Sequence, residues 1–186
     1  MDTWFTSDWH LGHRNIIEYS QRPFENVERM NEELIARHNA LVKPDDIVID
    51  VGDFSMNEKI VQSAIKRLHG KRTLVCGNHD RCFRKHRGAL RWAKQYVEWG
   101  FAQVVQGWEV TMGVHKVRVD HLPYVGDSRH EERYKEYRPV DDGRWLLHGH
   151  IHNLWKQKDR MINVGVDVWN YQPVHIDELA EIVCAS

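Results

Sequence analysis

The chain lacks the features that mark several large classes of protein. Cysteine is scarce and odd in number: Cys76, Cys82 and Cys184 show no metal-ligand spacing and cannot build a disulfide framework, a usage that suits a reducing compartment. Cys82, two residues past a polar cluster described below, is read as a spare thiol in a loop rather than a ligand. Charge of one sign is also lacking, since 26 basic side chains balance 27 acidic ones. No global attraction to nucleic acid or to a membrane surface follows from that balance, so an anionic ligand must be met by a local site. The basic runs at 81–94 and 129–138 are interleaved with acids or set at helical spacing, and are read as solvated faces. No apolar run is long enough to span a bilayer, and Asp2 stands where a secretion signal would need Lys or Arg. A cytoplasmic protein without membrane partners is therefore expected. Internal repeats, low-complexity tracts and Ser/Gly linkers are absent too, so residues 1–186 are expected to form one domain.

What the chain has in excess is histidine, at thirteen residues, and tryptophan, at eight. The tryptophans are read as core and rim packing, with Trp9 alone beside a candidate site. The histidines gather in polar clusters that follow β-branched apolar runs. Asp8-Trp9-His10 follows residues 4–7, Gly52-Asp53 follows 47–51, and Gly77-Asn78-His79-Asp80 follows 73–76. Asp120-His121 follows 117–119, and His148-Gly149-His150-Ile151-His152 follows 145–147. A buried strand that ends in a carboxylate, amide or imidazole suits a site at the strand ends better than it suits a core.

Between these strands the pattern turns helical. Val27, Met30, Leu34 and Leu41 predict a helix over about 26–42, ended by Pro44. Ser55 to Glu58 has the spacing of a capping box for a second helix, which Gly70 terminates, and a third is expected over about 83–99. From Gly100 onward the period approaches two, with candidate strands at 103–105, 109–112, 116–120, 144–147, 161–164 and 174–176. The fold class is α/β, with two packed sheets flanked by helices and the first sheet partly parallel. The segment 123–143 has no clear period and is expected to overhang the site as a lid, with Tyr124, Arg129 or Tyr134 as a substrate contact.

Each cluster has a chemical reading. In an extended chain Asp8 and His10 point the same way and can grip one ion with a hard oxygen and an imidazole. Asp53 has two oxygens with which to bridge two cations about 3.5–4 Å apart. Asn78 offers a neutral carbonyl ligand, while His79 beside it can reach substrate, with Asp80 to hold its imidazole as a general acid. His148, His150 and His152 alternate along an extended segment, with Gly149 allowing close approach of another backbone. His148, deeper in the strand, is assigned either a structural role or one in supporting the ligands from behind. Taken singly, such short motifs arise by chance; five in order point to one metal centre.

The ordered set Asp-x-His, Gly-Asp, Gly-Asn-His-Asp, a later His and Gly-His-x-His resembles the calcineurin-like metallophosphoesterases, over nearly the whole span from Asp8 to His152. The resemblance implies a four-layer α/β/β/α sandwich of two mixed sheets with a dinuclear centre at the strand ends. Carried over by position, it implies Asp8, His10, Asp53 and His152 at one metal. It implies Asp53, Asn78, His121 and His150 at the other, and His79 as the catalytic histidine. The protein Ser/Thr phosphatases and symmetrical dinucleoside tetraphosphatases of that family carry Asp-Arg-Gly after the second motif. Here Phe54-Ser55-Met56 follows Asp53, and Cys76 replaces their Arg before Gly-Asn-His. The opening 7–17 is instead similar to small single-domain members from bacteria and phages, of which at least one acts on nucleotide phosphodiesters, 2′,3′-cyclic ones included.

The expectation is a two-metal phosphodiesterase for nucleotide or other small phosphodiesters. Water activated by two cations attacks phosphorus in line, and His79 protonates the leaving oxygen. Mixed N/O donors suit Mn²⁺, Fe, Zn²⁺, Co²⁺ or Ni²⁺, with Mn²⁺ the choice in vitro. His13, Arg14 and Asn15, in the loop after the first strand, are candidate substrate contacts. The alternatives are a phosphomonoesterase or protein phosphatase, and a non-catalytic metal-binding scaffold of the same fold.

Overall fold

Residues 1–128 and 131–185 are described by the computed structural model. The first three apolar runs become β1 (Thr3–Thr6), β2 (Ile47–Asp50) and β3 (Lys71–Val75), paired in parallel with Thr3 opposite Ile47 and Ile47 opposite Lys71. Runs so uniformly apolar suit strands covered on both faces. β4 (Gln103–Val105) adds to this sheet in parallel, and β10 (Val174–His175) closes its other edge antiparallel to β1.

A second sheet has the order β5 (Trp108–Met112), β6 (His115–Val119), β7 (Leu146–His148), β9 (Met161–Asn163), β8 (Gln157–Lys158). β5–β6 and β8–β9 are antiparallel, while β6–β7 and β7–β9 are parallel, so both five-stranded sheets are mixed. Phe5, Ile49, Val51 and Val75 of the first sheet share one buried cluster with Val117, Val119, Leu147 and Ile162 from the second, so the two sheets pack face to face.

The opposite face of the first sheet carries the helices α2 (Val27–Leu41), α3 (Glu58–Ile65) and α4 (Ala89–Trp99), whose Leu34, Val61 and Tyr96 cluster with Leu74 and Phe101. α2 starts where its pattern predicts, capped by Asn26 accepting from the Arg29 amide. The capping box at Ser55 does not form. Asn57 caps α3, accepting from Lys59 N and Ile60 N, while Ser55 Oγ donates to Leu11 O at 2.7 Å and ties down the loop after β1. α4 begins six residues later than its pattern suggests, because 80–88 run as successive turns pinned by buried Cys82 and Phe83.

α1 (Ile16–Tyr19) is a single turn. α5 (Ile176–Cys184), which the sequence reading did not single out, touches β1 and β5 and sends Leu179 and Val183 into the inter-sheet cluster. On the far face of the second sheet Arg118 donates to Val140 O and Asp142, so the end of the 122–143 excursion lies there, while its Asp127 and Tyr134 reach His150 at the strand ends; one 3₁₀ turn occurs among its described residues. The arrangement is thus a mixed α/β sandwich with two five-stranded sheets and, among the described residues, five α-helices. None of those helices is long and apolar enough to cross a membrane.

Candidate metal centre

Parallel strands deliver their carboxyl ends to one edge, and the polar clusters occupy that edge. The chain leaving β1 runs beside the chain leaving β2, with Asp8 N donating to Gly52 O, His10 N to Asp53 O and Leu11 N to Phe54 O at 2.9–3.0 Å. A parallel bridge between Ser7 and Gly165 joins this edge to the segment after β9. Close approach is possible because two positions are glycine. A Cβ on Gly77 would meet Asp53 Oδ1 at 2.2 Å, and one on Gly149 would meet Ser7 Oγ at 2.0 Å and Asp8 Oδ2 at 2.5 Å.

The backbone is strained where the candidate ligands sit. Asp8, His10, Asp53, His150 and His152 have φ of 57°, 50°, 55°, 74° and 53°, and make up half of the non-glycine residues with positive φ among those described. Each such residue costs on the order of 1–3 kcal/mol, a strain that persists only where the surroundings over-determine it.

The seven candidate ligands converge although they span residues 8 to 152, and six of them are almost fully buried. Donor atoms of Asp8, His10 and His152 lie within 4.8 Å of one another, as do those of Asp8, Asp53 and His121. Asp53 Oδ2 stands between the groups, 3.5 Å from His10 Nε2 and 3.4 Å from His121 Nε2, while its Oδ1 accepts from His79 N at 2.8 Å. Asn78 Oδ1 is 3.1 Å from His121 Nε2. His150 joins through its backbone, whose N–H donates to both Asp8 oxygens at 3.0–3.1 Å. Its ring lies 5.5 Å from that of His121, with Nε2 3.1 Å from Asp127 Oδ2.

These residues fit divalent cations. Both ring nitrogens of His10 and Nδ2 of Asn78 are buried without a hydrogen-bond partner, and the donors are hard oxygens and imidazoles without thiolate. Burial holds the His10 ring well below the usual imidazole value, in the neutral form a ligand needs. At Asp53 burial opposes ionisation, but the imidazoles of His121, His79 and His10 outweigh it and keep the carboxyl well below its ordinary range. At His121 burial is likewise outweighed, by Asp53 and Asp8, which raise the ring to about 10.

Asp80 requires a correction. Its carboxylate does not meet the His79 ring; Oδ2 accepts from Asp53 N (2.9 Å) and Gly77 N (2.8 Å), and Oδ1 from Phe54 N (3.1 Å). It lashes the exits of β2 and β3 together from below, although burial and then the charge on Asp53 push it up to about 8. The physical reason is local: Asp80 N donates to Gly77 O, and this tight turn directs the carboxylate back under Asp53.

A cleft of about 480 Å³ opens beside the centre, lined by His10, His13, His79, Ser128, Arg133 and His152 on its polar side and by Ile16, Tyr19, Ile151 and Leu154 on its apolar side. Of the three substrate contacts expected after β1, only His13 lines it. Arg14 and Asn15 are exposed, Asn15 at the N-cap of the one-turn α1 and Arg14 in a separate recess with Glu18, Glu25 and Glu28. From 123–143, Tyr134 packs against His150 at 5.8 Å, whereas Tyr124 turns away to donate to Arg144 O; Arg129 lies outside the described residues. Cys82 is buried against Cys76, with Sγ atoms 3.0 Å apart, in the helix-side core. His148 donates from Nδ1 to Gly149 O and meets the Trp155 ring edge-on at 4.9 Å, while its Nε2 is buried without a hydrogen-bond partner.

Several residues that the sequence reading missed complete the site. Asp167 accepts from His152 Nδ1 at 3.3 Å and is held by fully buried Arg22 at 2.7 and 2.9 Å, which also donates to Asp8 O and Trp9 O. Its signal was present, since Gly165-Val166-Asp167 follows a buried strand as the other clusters do. Asp127 and Arg133 lie in the aperiodic segment and carried no such signal.

Fold and edge together define an α/β protein with two mixed sheets and a buried carboxylate–imidazole group able to hold metal. No family model matches the chain. It is 32% identical to the gene 66 protein of Mycobacterium phage L5, over 98% of this chain and 94% of that one. It is also 30% identical to protein MJ1445 of Methanocaldococcus jannaschii, over 95% and 88%. The chain belongs to the family of these phage and archaeal proteins. Among solved structures, the protein AQ665 of Aquifex aeolicus superimposes with a TM-score of 0.73 at 21% identity, over 98% of this chain and 99% of its own, a likeness of fold.

Proposed function

We propose that the chain is a two-metal phosphoesterase of the calcineurin-like type, acting by preference on phosphodiesters of nucleotides. The observation that carries this reading is Asp53 Oδ2 standing between His10 Nε2 and His121 Nε2, at 3.5 and 3.4 Å, as a bridging carboxylate must. Asp8, His10, Asp53 and His152 would hold one ion; Asp53, Asn78, His121 and His150 would hold the other. The chemistry that two divalent ions supply is activation of water near neutral pH and neutralisation of charge on the phosphoryl oxygens.

The chain's own residues do the rest. His79 lines the cleft with its ring 5.4 Å from that of His10, a position from which it would protonate the ester oxygen as it leaves. Its backbone N–H meanwhile fixes Asp53, and Asp80 keeps both loops in register. Arg133 and His13 face the phosphate, and the apolar wall of Ile16, Tyr19 and Leu154 suits a nucleobase.

Protein reconstituted with Mn²⁺ and assayed on p-nitrophenyl phosphate, bis-p-nitrophenyl phosphate and cyclic nucleotides tests the proposal. The diesters are expected to be the better substrates. A preference for the monoester would make it a phosphomonoesterase, and two bound ions without turnover of any ester would make it a scaffold.

A further inference from the structure

Of the four histidines assigned to the metals, His10 has both ring nitrogens without a hydrogen-bond partner, whereas His121, His150 and His152 each have a ring nitrogen committed outside the ligand set, and that commitment decides which nitrogen is left for a ligand bond. His121 donates from Nδ1 to Val51 O at 2.8 Å, and His152 points Nδ1 at Asp167. In both, Nε2 is the nitrogen on the metal side; that of His121 lies 3.1 Å from Asn78 Oδ1 and 3.4 Å from Asp53 Oδ2, oxygens assigned to the same ion. His150 is reversed: its Nε2 faces Asp127 Oδ2 at 3.1 Å. A carboxylate accepts and does not donate, so Nε2 carries the proton and the lone pair lies on Nδ1.

Asp127 belongs to the segment between β6 and β7, and its side chain is fully buried. Oδ1 takes Arg133 Nη2 at 2.7 Å and Nε at 3.2 Å, and Oδ2 also takes Arg133 N at 2.9 Å. Arg138 approaches within 3.7 Å. Arg133 is the only guanidinium or ammonium group among the described residues that line the cleft.

We propose that Asp127 is a positioning residue with two effects: it fixes the His150 tautomer that presents Nδ1 to the second cation, and it aims Arg133 at the substrate phosphate. This rests on the two-metal reading above. One carboxylate then couples the charge that receives the substrate to the site that activates its phosphorus. A substrate phosphate that pulls on Arg133 also pulls, through Asp127, on the orientation of His150.

Two measurements separate the parts. Long-range proton–nitrogen spectra of the histidine rings, recorded on metal-free protein, are expected to find His150 with its proton on Nε2 and with Nδ1 unprotonated. Titration with Mn²⁺ then compares the wild type with Asp127→Ala and Asp127→Asn. Asp127→Ala is expected to weaken one of two sites by roughly 10–100-fold and leave the other within about twofold. The Asn carbonyl still accepts from His150, so Asp127→Asn is expected to keep both affinities within a few-fold. It loses the ion pair to Arg133, however, and raises KM for a phosphodiester more than it lowers kcat.

His150 found with its proton on Nδ1 and with Nε2 unprotonated would overturn the proposal. So would Asp127→Ala protein that binds both ions with wild-type affinity. If the alanine variant does not fold, the tautomer and the Asp127→Asn comparison decide in its place. Wild-type protein that binds no divalent ion would defeat the two-metal reading itself, and the tautomer would still report whether Asp127 sets the ring.

Discussion

Asp80→Asn is the substitution that best separates what the structure says from what motif logic alone would say. The wild-type carboxylate accepts three buried amides: Asp53 N and Gly77 N on Oδ2, and Phe54 N on Oδ1. An asparagine with its oxygen at the Oδ2 position keeps the first two bonds and sets its NH₂ against the Phe54 amide. One buried donor left unpaired and facing another donor costs about 1–3 kcal/mol. Asp80→Ala orphans all three amides; with a water entering the space, the cost is about 3–6 kcal/mol, comparable with the whole stability of a small domain. The assay is urea unfolding of metal-free protein at a pH above about 8, where the wild-type group is the anion. Because the same amides shape the Asp53 loop, Mn²⁺ affinity should fall along with stability. If Asp80→Asn left stability and Mn²⁺ affinity unchanged and slowed only esters with poor leaving groups, the three-amide clamp would be wrong and a His79–Asp80 pair would be right.

The other predictions follow from particular contacts. His79→Ala should retain its metals and much of its rate on p-nitrophenyl esters, while losing roughly 10²–10⁴-fold on nucleotide diesters, whose alkoxide needs a proton to leave; equal losses on both would assign His79 to phosphate binding. Arg22→Met strips the buried partner from Asp167 and should cost about 3–5 kcal/mol in unfolding experiments, a loss that a surface ion pair would not show. Asp46, held down to about 2 by the amides of Asp2 and Lys43 and by Trp4 Nε1, has a folded pKa below its unfolded value. Its contribution is therefore complete above the unfolded value and lost as the pH falls from near 4 toward 2, so Asp46→Asn should flatten that part of the acid-unfolding curve.

Much of this architecture is legible in the sequence because strands buried on both faces are uniformly apolar and their polar endings stand out. Ile47 to Val51 ending in Gly52-Asp53 is readable without any structure, and so is the alternation of His148, His150 and His152. Errors arise where local chemistry has two solutions of similar energy. Ser55 and Asn57 can both cap α3; Asn57 wins because Ser55 Oγ is needed by the Leu11 carbonyl. Asp80 is adjacent to His79 in sequence, yet the turn from Gly77 sends the two side chains in different directions. Arg14 and Asn15 follow the first motif but sit on the outside of a one-turn helix, where nothing in the apolar period indicates which side faces the cleft. Asp127 and Arg133 matter only through contacts made across the fold, from a segment without periodicity, and no reading of spacing reaches them.

The central claim is that Asp53 bridges two cations, and counting metal ions tests it most directly. Protein reconstituted with Mn²⁺, freed of loose ions and analysed for manganese is predicted to hold about two ions per chain as wild type and fewer than about one as Asp53→Ala. Asp53→Ala protein that still holds two, or wild-type protein that holds none, would contradict the account.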